Sequence, residues 1–274
     1  MNRYVRFVDR HGEAQWGLAA DDGTAHPLPD GIPGPGGGLP ATPPAGKPEP
    51  LTRLLPPLLV DPPPNVFAIG LNYRQHAAET GVAAPDHPLV FIKASTAVIG
   101  PGDAIVLPRS APDEVDFEAE LAVVIGRTAR RVAESAVNDY ILGYTCANDV
   151  SARDCQKRLD GQWARAKSFD TFCPLGPCLV SPHEFDPANA DIICVRNGET
   201  MQSGNTADMI FSAAELVSYL SHQFTLLPGT VICTGTPPGV GMARKPPVFL
   251  RAGDEVEVRI AGIGSLVNPV LADS

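Results

Sequence analysis

No apolar run in this 274-residue chain approaches the roughly 20 residues needed to span a bilayer. The N-terminus, MNRYVRFVDRHGEAQWG, lacks the apolar centre of a signal peptide, so a cytoplasmic location is the expectation. Basic charge is scarce. Lys and Arg number 21 against 31 Asp and Glu, a net charge of −10, which argues against nucleic acid or an anionic membrane surface as partner. An anionic substrate stays open, because a bound divalent metal reverses the local charge. The six cysteines (146, 155, 173, 178, 194, 233) are too dispersed for a disulfide scaffold, and several sit inside apolar runs as reduced core residues do. Cys173 and Cys178 have prolines between them and no His nearby, so they do not read as a metal motif. The Gly-rich stretch CTGTPPGVG lacks the Lys-Ser/Thr that a phosphate loop requires.

What is present is a run of carboxylates in an alternating pattern. In VDFEAELAVVIG, residues Val115, Phe117, Ala119, Leu121 and Val123 share one face of a strand. Asp116, Glu118 and Glu120 share the other. Glu118 and Glu120 lie roughly 7 Å apart at Cα, from a rise of about 3.3 Å per residue. Their carboxylates can converge on one cation; without it, one would tend to hold a proton. A second apolar strand, Tyr140–Ala147, ends at the exit signal Asn148-Asp149 and brings a third carboxylate, Asp149. Oxygen-only ligation suits Mg²⁺ or Mn²⁺, and also Ca²⁺, rather than Zn²⁺. Spacing alone leaves a second reading open, in which Glu118 and Glu120 are the solvated face of an edge strand.

Other segments supply candidate chemistry. In LNYRQHAAETG, His76 and Glu79 are helix neighbours, either a general base oriented by a carboxylate or an incidental surface pair. A short polar helix with Gly81 and Pro85 at its end can act as a lid. Lys93 in VFIKAS is an edge residue or a site residue. VSARDCQKRLDG reads as helical, which places Asp149, Arg153 and Gln156 at i, i+4, i+7 on one face. Lys167 follows Trp163 and is either a fixed charge for a substrate carboxylate or a surface lysine. In VICTGTPPGVG, Gly235, Gly239 and Gly241 allow close backbone approach, and Thr236 offers a hydroxyl.

The frame around these pieces is mostly β. RYVRFVD and AQWGLAA read as a small N-terminal hairpin. Fourteen of the 29 prolines precede residue 65, and the apolar piece Leu51–Val60 among them reads as a helix. A boundary is expected near residues 61–65, giving a small N-terminal domain (1–60) and a catalytic domain (61–274). Two strands are expected around the turn Gly100–Asp103, and a hairpin at Asn197-Gly198. MIFSAAELVSYLSHQF reads as an amphipathic helix carrying Ile210, Ala213, Ala214, Val217 and Leu220. Two strands flank Ala261–Gly264.

The segments AIGLNYRQHAAE, PLVFIKAST, VDFEAELAVVIGR, GYTCANDVSARDCQ, WARAKSFDTFCPLGP, LLPGTVICTGTPPGVG and FLRAGDEVEVRIAGIGSLVNPV together resemble the fumarylacetoacetate hydrolase family, in the right order over residues 65–271. The resemblance implies an α+β, mostly β fold: a fumarylacetoacetase-like mixed β-roll with few helices, usually a homodimer. It implies Glu118, Glu120 and Asp149 as metal ligands, and His76 and Glu79 as the pair that handles the water or proton. It implies Lys167 as the lysine facing substrate, with Arg153, Gln156 and Thr236 in the pocket. KSFDTFCPLGP is most similar to members acting on acylpyruvates and diketo sugar acids. The expected activity is therefore metal-dependent C–C hydrolysis of a 2,4-diketo acid to pyruvate and a carboxylic acid. Oxaloacetate decarboxylation and 2-oxo acid tautomerisation fit the same site, and a non-catalytic metal-stabilised module is the reading from another class.

Overall fold

The computed structural model describes residues 1–28, 31–32, 39–40, 46–159 and 161–273. Residues 33–38 and 41–45 of the Pro/Gly-rich stretch 31–64 fall outside them. β1 (Arg3–Val8), β2 (Ala14–Ala19) and β3 (Thr24–Leu28) form an antiparallel meander. β4 (Glu49–Pro50) pairs with β3, and β5 (Leu54–Leu55) pairs with β1. The helix expected over Leu51–Val60 is absent. Leu54–Leu55 is a strand, and Pro56 and Pro57 remove two backbone donors that a helix needs.

Next come β6 (Val66–Gly70), α1 (Arg74–Thr80), β7 (Leu89–Lys93), β8 (Val98–Ile99) and β9 (Ile105–Leu107). The carboxylate stretch is two strands, β10 (Val115–Asp116) and β11 (Ala119–Ile125), followed by β12 (Ile141–Asn148) and β13 (Ser151–Ala152). A π-helical turn covers Cys155–Leu159, and α2 covers Trp163–Ala166. The regular helix expected from residue 150 onward therefore does not form. Asp116 and Ser151 instead pair across β10 and β13, so the chain stays extended as far as Ala152.

β14 (Cys173–Val180), β15 (Asp191–Arg196) and β16 (Glu199–Asn205) follow, the last two joined at Asn197-Gly198, where φ is +50° and +81°. α3 (Ala213–Gln223) starts at a capping box formed by Ser212 and Glu215. It buries Ala213, Leu216, Val217 and Leu220, while Ile210 precedes it. β17 (Val231–Cys233), β18 (Glu255–Ile260) and β19 (Gly264–Ala272) complete the chain.

A 12-stranded sheet runs β4-β3-β2-β1-β14-β12-β11-β17-β6-β7, with β5 and β8 attached to β1 and β14. Residues 1–60 and 61–274 share it through β1 and β14. A five-stranded sheet runs β16-β15-β18-β19-β9. The two strands flanking Gly100–Asp103 do not pair with each other: β8 lies parallel to β14 and β9 parallel to β19. Leu121, Val123 and Cys146 of the large sheet share one apolar core with Ile192, Cys194 and Val258 of the smaller one. Ala122 and Val124, on the opposite face of β11, belong to a second core with Ala68, Cys173 and Cys233. Every residue of β11 is buried, so this is a central strand with both faces covered and not a solvated edge. All six cysteines are buried and none forms a disulfide. No helix among the described residues is long and apolar enough to cross a membrane.

Candidate active site

The three carboxylates meet because β11 and β12 are adjacent and antiparallel. Ala119 pairs with Asn148 and Glu120 with Ala147. Continuing that register puts Glu118 opposite Asp149, within the reach of cross-strand neighbours. The chain fixes this join twice: the Asp149 N–H donates to the Glu118 carbonyl (2.9 Å), and the Asn148 side chain accepts the Glu118 N–H (3.0 Å). One oxygen from each of Glu118, Glu120 and Asp149 lies within 4.8 Å of the others, and all three residues are buried.

Cations surround this cluster. The Lys167 ammonium donates to Glu118 (2.9 Å), Asp149 (2.5 Å) and the Ser151 hydroxyl (2.7 Å). The Lys93 ammonium, fully buried in β7, donates to the other Asp149 oxygen at 2.5 Å. Of the two readings the sequence left for Lys93, the geometry selects a site residue. Arg153 pairs with Asp116 (2.8 Å) and Glu118 (2.6 Å) and donates to the side-chain amide oxygen of Gln156 (2.8 Å). Asp116 thus turns away from the cluster and clamps the arginine, accepting also from the Gly241 and Met242 amides.

The charges are uneven. Burial alone would raise the Glu118 carboxyl, but Lys167 and Arg153 hold it well below the usual carboxylate range. Burial, Asp149 and Glu118 push Glu120 well above that range; Lys167 and the Gly235 amide only partly oppose this. Lys167 stays charged: burial would lower it, but Asp149 and Glu118 raise it. Lys93, Lys167 and Arg153, the last shared with Asp116, therefore leave the four buried acids one positive charge short, and the deficit falls on Glu120. An oxygen-only donor set with this deficit fits a hard divalent cation.

Above the carboxylates lies a cavity of about 210 Å³. His76 of α1 faces it, with Nδ1 3.1 Å from Glu79 Oε2. Glu79 also accepts the Gly239 N–H at 2.9 Å, so the His–Glu pair is tied to the loop after β17. The start of α1 is anchored by Arg74, which donates to the Met209 carbonyl at 2.6 Å. Ile69, Leu71, Phe91, Trp163 and Met242 give the cavity an apolar wall. Trp163 packs edge-on against Phe91 (centroids 5.6 Å apart) and covers Gly70, where any Cβ would clash with its ring. Thr236 lines the cavity, but its hydroxyl donates to the Ala119 carbonyl and accepts from Gln202.

All nine residues singled out from the sequence lie in this region. Asp149 and Glu79 stand just behind the lining that His76, Glu118, Glu120, Arg153, Gln156, Lys167 and Thr236 form. Sequence reasoning missed the Asp116 clamp, although Asp116 was visible on the carboxylate face of the strand. It also missed Ser151, Gln202 and the backbone amides of Gly235 and Gly239, which leave no signal in side-chain spacing.

The profile described as fumarylacetoacetate (FAA) hydrolase C-terminal matches residues 65–271, three quarters of the sequence and the whole of this site. The chain belongs to the fumarylacetoacetate hydrolase family. Among relatives of this family, the mitochondrial oxaloacetate tautomerase Fahd2a of Rattus norvegicus is 48% identical over 210 residues, covering 76% of this chain and 67% of the rat protein. Among solved structures, 5-carboxymethyl-2-hydroxymuconate delta-isomerase from Mycobacterium smegmatis is 39% identical with a TM-score of 0.83, covering 99% of this chain and 100% of the other. Fumarylacetoacetate hydrolase from psychrophilic Exiguobacterium antarcticum is 34% identical with a TM-score of 0.83, over the full length of both chains. The mostly β architecture is thus that of the fumarylacetoacetate hydrolase family, and the relatives named are enzymes.

Proposed function

We propose that this chain is a divalent-cation-dependent tautomerase that interconverts the keto and enol forms of oxaloacetate. The observation that carries the reading is one cavity in which a single imidazole, oriented by a carboxylate, faces a cation-binding carboxylate triad. The 48% identity to a protein named oxaloacetate tautomerase supports it over the C–C hydrolase expected from the sequence.

A divalent cation held by Glu118, Glu120 and Asp149 supplies, when bound, a Lewis acid for a 2-oxo-carboxylate. The rest is done by the chain. His76, with Nδ1–H directed at Glu79, offers Nε2 to take the proton from C3, and the same imidazole returns a proton to the oxygen on C2. Atoms balance without a water molecule. Lys167 is a fixed positive charge beside Glu118 and Asp149 that would favour the oxygen gaining negative charge. Phe91 and Trp163 keep bulk water from the wall.

C–C hydrolysis is the second reading, favoured by the likeness to a protein named fumarylacetoacetate hydrolase. There His76 Nε2 takes its proton from a water that attacks C4 of a diketo acid. The deciding experiment follows oxaloacetate with Mg²⁺ or Mn²⁺, measuring loss of enol absorbance together with pyruvate and CO₂. Accelerated interconversion with oxaloacetate conserved is the expected outcome. Pyruvate plus CO₂ would make the chain a decarboxylase, and pyruvate plus a carboxylic acid from an acylpyruvate would make it a hydrolase. We take the working assembly to be a homodimer, which size-exclusion chromatography with light scattering tests.

A further inference from the structure

The charged residues that line the cavity are almost all engaged with one another. Arg153 is held by Asp116 and Glu118, and Lys167 by Glu118 and Asp149. Lys157 is the exception. It lines the same cavity from the exposed side of the π-helical turn, one residue after Gln156, and has no carboxylate partner among the described residues. A π turn displaces its side chains from α-helical register, a distortion common at functional sites. Partial burial and then Arg153 and Lys167 disfavour the Lys157 charge, Glu118 opposing them only in part, so an anionic group in the cavity would relieve it.

The charge count then points to the shape of the ligand. Glu79, Asp116, Glu118, Glu120 and Asp149 stand against Lys93, Arg153 and Lys167, which leaves two negative charges. A divalent cation would neutralise them. One substrate carboxylate can share that cation. A second carboxylate needs a further cation, and Lys157 is the one in the lining without a carboxylate partner among the described residues. We infer that Lys157 binds the distal carboxylate of a 2-oxo dicarboxylic acid and so selects dicarboxylates over 2-oxo acids with a neutral tail. The inference rests on the proposed reading and deepens it, by naming the residue that sets substrate class.

The test compares oxaloacetate with 2-oxobutyrate, whose methyl group replaces the distal carboxylate. Deuterium exchange at C3 in the presence of Mg²⁺ reads the same chemistry for both. Lys157→Gln should raise KM for oxaloacetate about tenfold or more, the scale of one lost charge-assisted hydrogen bond, with kcat nearly unchanged. Exchange of 2-oxobutyrate should be unaltered, and Lys157→Glu should exceed Lys157→Gln for oxaloacetate alone. Arg158→Gln is the control, since Arg158 is exposed and paired with Glu114. Equal losses on both substrates, or no loss on either, would overturn the inference. If the unmodified chain exchanged neither substrate, the tautomerase reading would fall separately. Lys157 would then be decided by binding: thermal stabilisation by oxaloacetate over 2-oxobutyrate, with Mg²⁺ present, should vanish in Lys157→Gln, and its persistence would refute the role.

Discussion

The floor and the roof of the cavity are built in opposite ways. The floor is Glu120 within β11, Glu118 just before it and Asp149 just after β12, all buried, stitched by main-chain bonds and packed among three buried cations. The roof is the seven-residue helix α1, whose His76 is aligned by Glu79, its neighbour one turn on. Metal affinity and stability are therefore tied together in the floor, whereas the proton-handling group sits on a piece that adds little to the core. The two regions should separate cleanly under mutation.

The largest break is expected from Asp149→Asn. It removes the partner of both Lys93 and Lys167 and strands buried ammonium groups, at a cost of about 3–5 kcal/mol. Calorimetric metal titration should show loss of binding, and thermal melting a large drop in Tm. His76→Ala should lower turnover by about 10²–10⁴-fold, the usual scale for a positioned proton-transfer group. Metal affinity and Tm should stay near normal; a parallel fall in either would erase the distinction between floor and roof. Stripping the metal with EDTA should abolish activity while the chain stays folded, and unfolding on stripping would instead mark a structural metal.

A smaller effect concerns pH. Without a cation the folded Glu120 carboxyl is raised by burial, Asp149 and Glu118, so it holds a proton under conditions where an ordinary glutamate does not. A cation must displace that proton. Apparent affinity should fall as pH falls, by about tenfold per unit while one proton is exchanged. Calorimetry in buffers of different ionisation enthalpy should detect proton release. Glu120→Gln should remove this proton release and weaken the site. The mildest change is Glu79→Gln, which keeps the shape of the link to His76 and Gly239 but removes the charge. It should cost on the order of tenfold in turnover, with metal binding unchanged.

Much of this was legible in the sequence because it lies in short-range patterns. Period-two alternation identified β11 and placed Glu118 and Glu120 on one side. The Asn-Asp exit after β12 located Asp149, and a three-residue spacing paired His76 with Glu79. The failures have a common cause, namely long-range pairing. Ser151–Ala152 is helix-prone in isolation but is captured by β10. Leu51–Val60 has the apolar content of a helix, yet its prolines and the partner β1 make it extended. Lys93 could not be assigned because its partner, Asp149, is 56 positions away. Asp116 shares the carboxylate face of the strand, but its role was not legible there, because only the fold brings Arg153 to it.

The loop after β17 sends three backbone N–H groups to three separate acids: Gly235 to Glu120, Gly239 to Glu79 and Gly241 to Asp116. One short span of main chain thus gauges the metal cluster, the imidazole and the arginine clamp against each other. What must be inherited there is a length and the absence of side chains. A single deletion between Gly235 and Gly239 would leave every acid in place yet put the Gly239 and Gly241 contacts together out of step with the Gly235 contact. Site-directed changes that spare the spacing would each disturb only one.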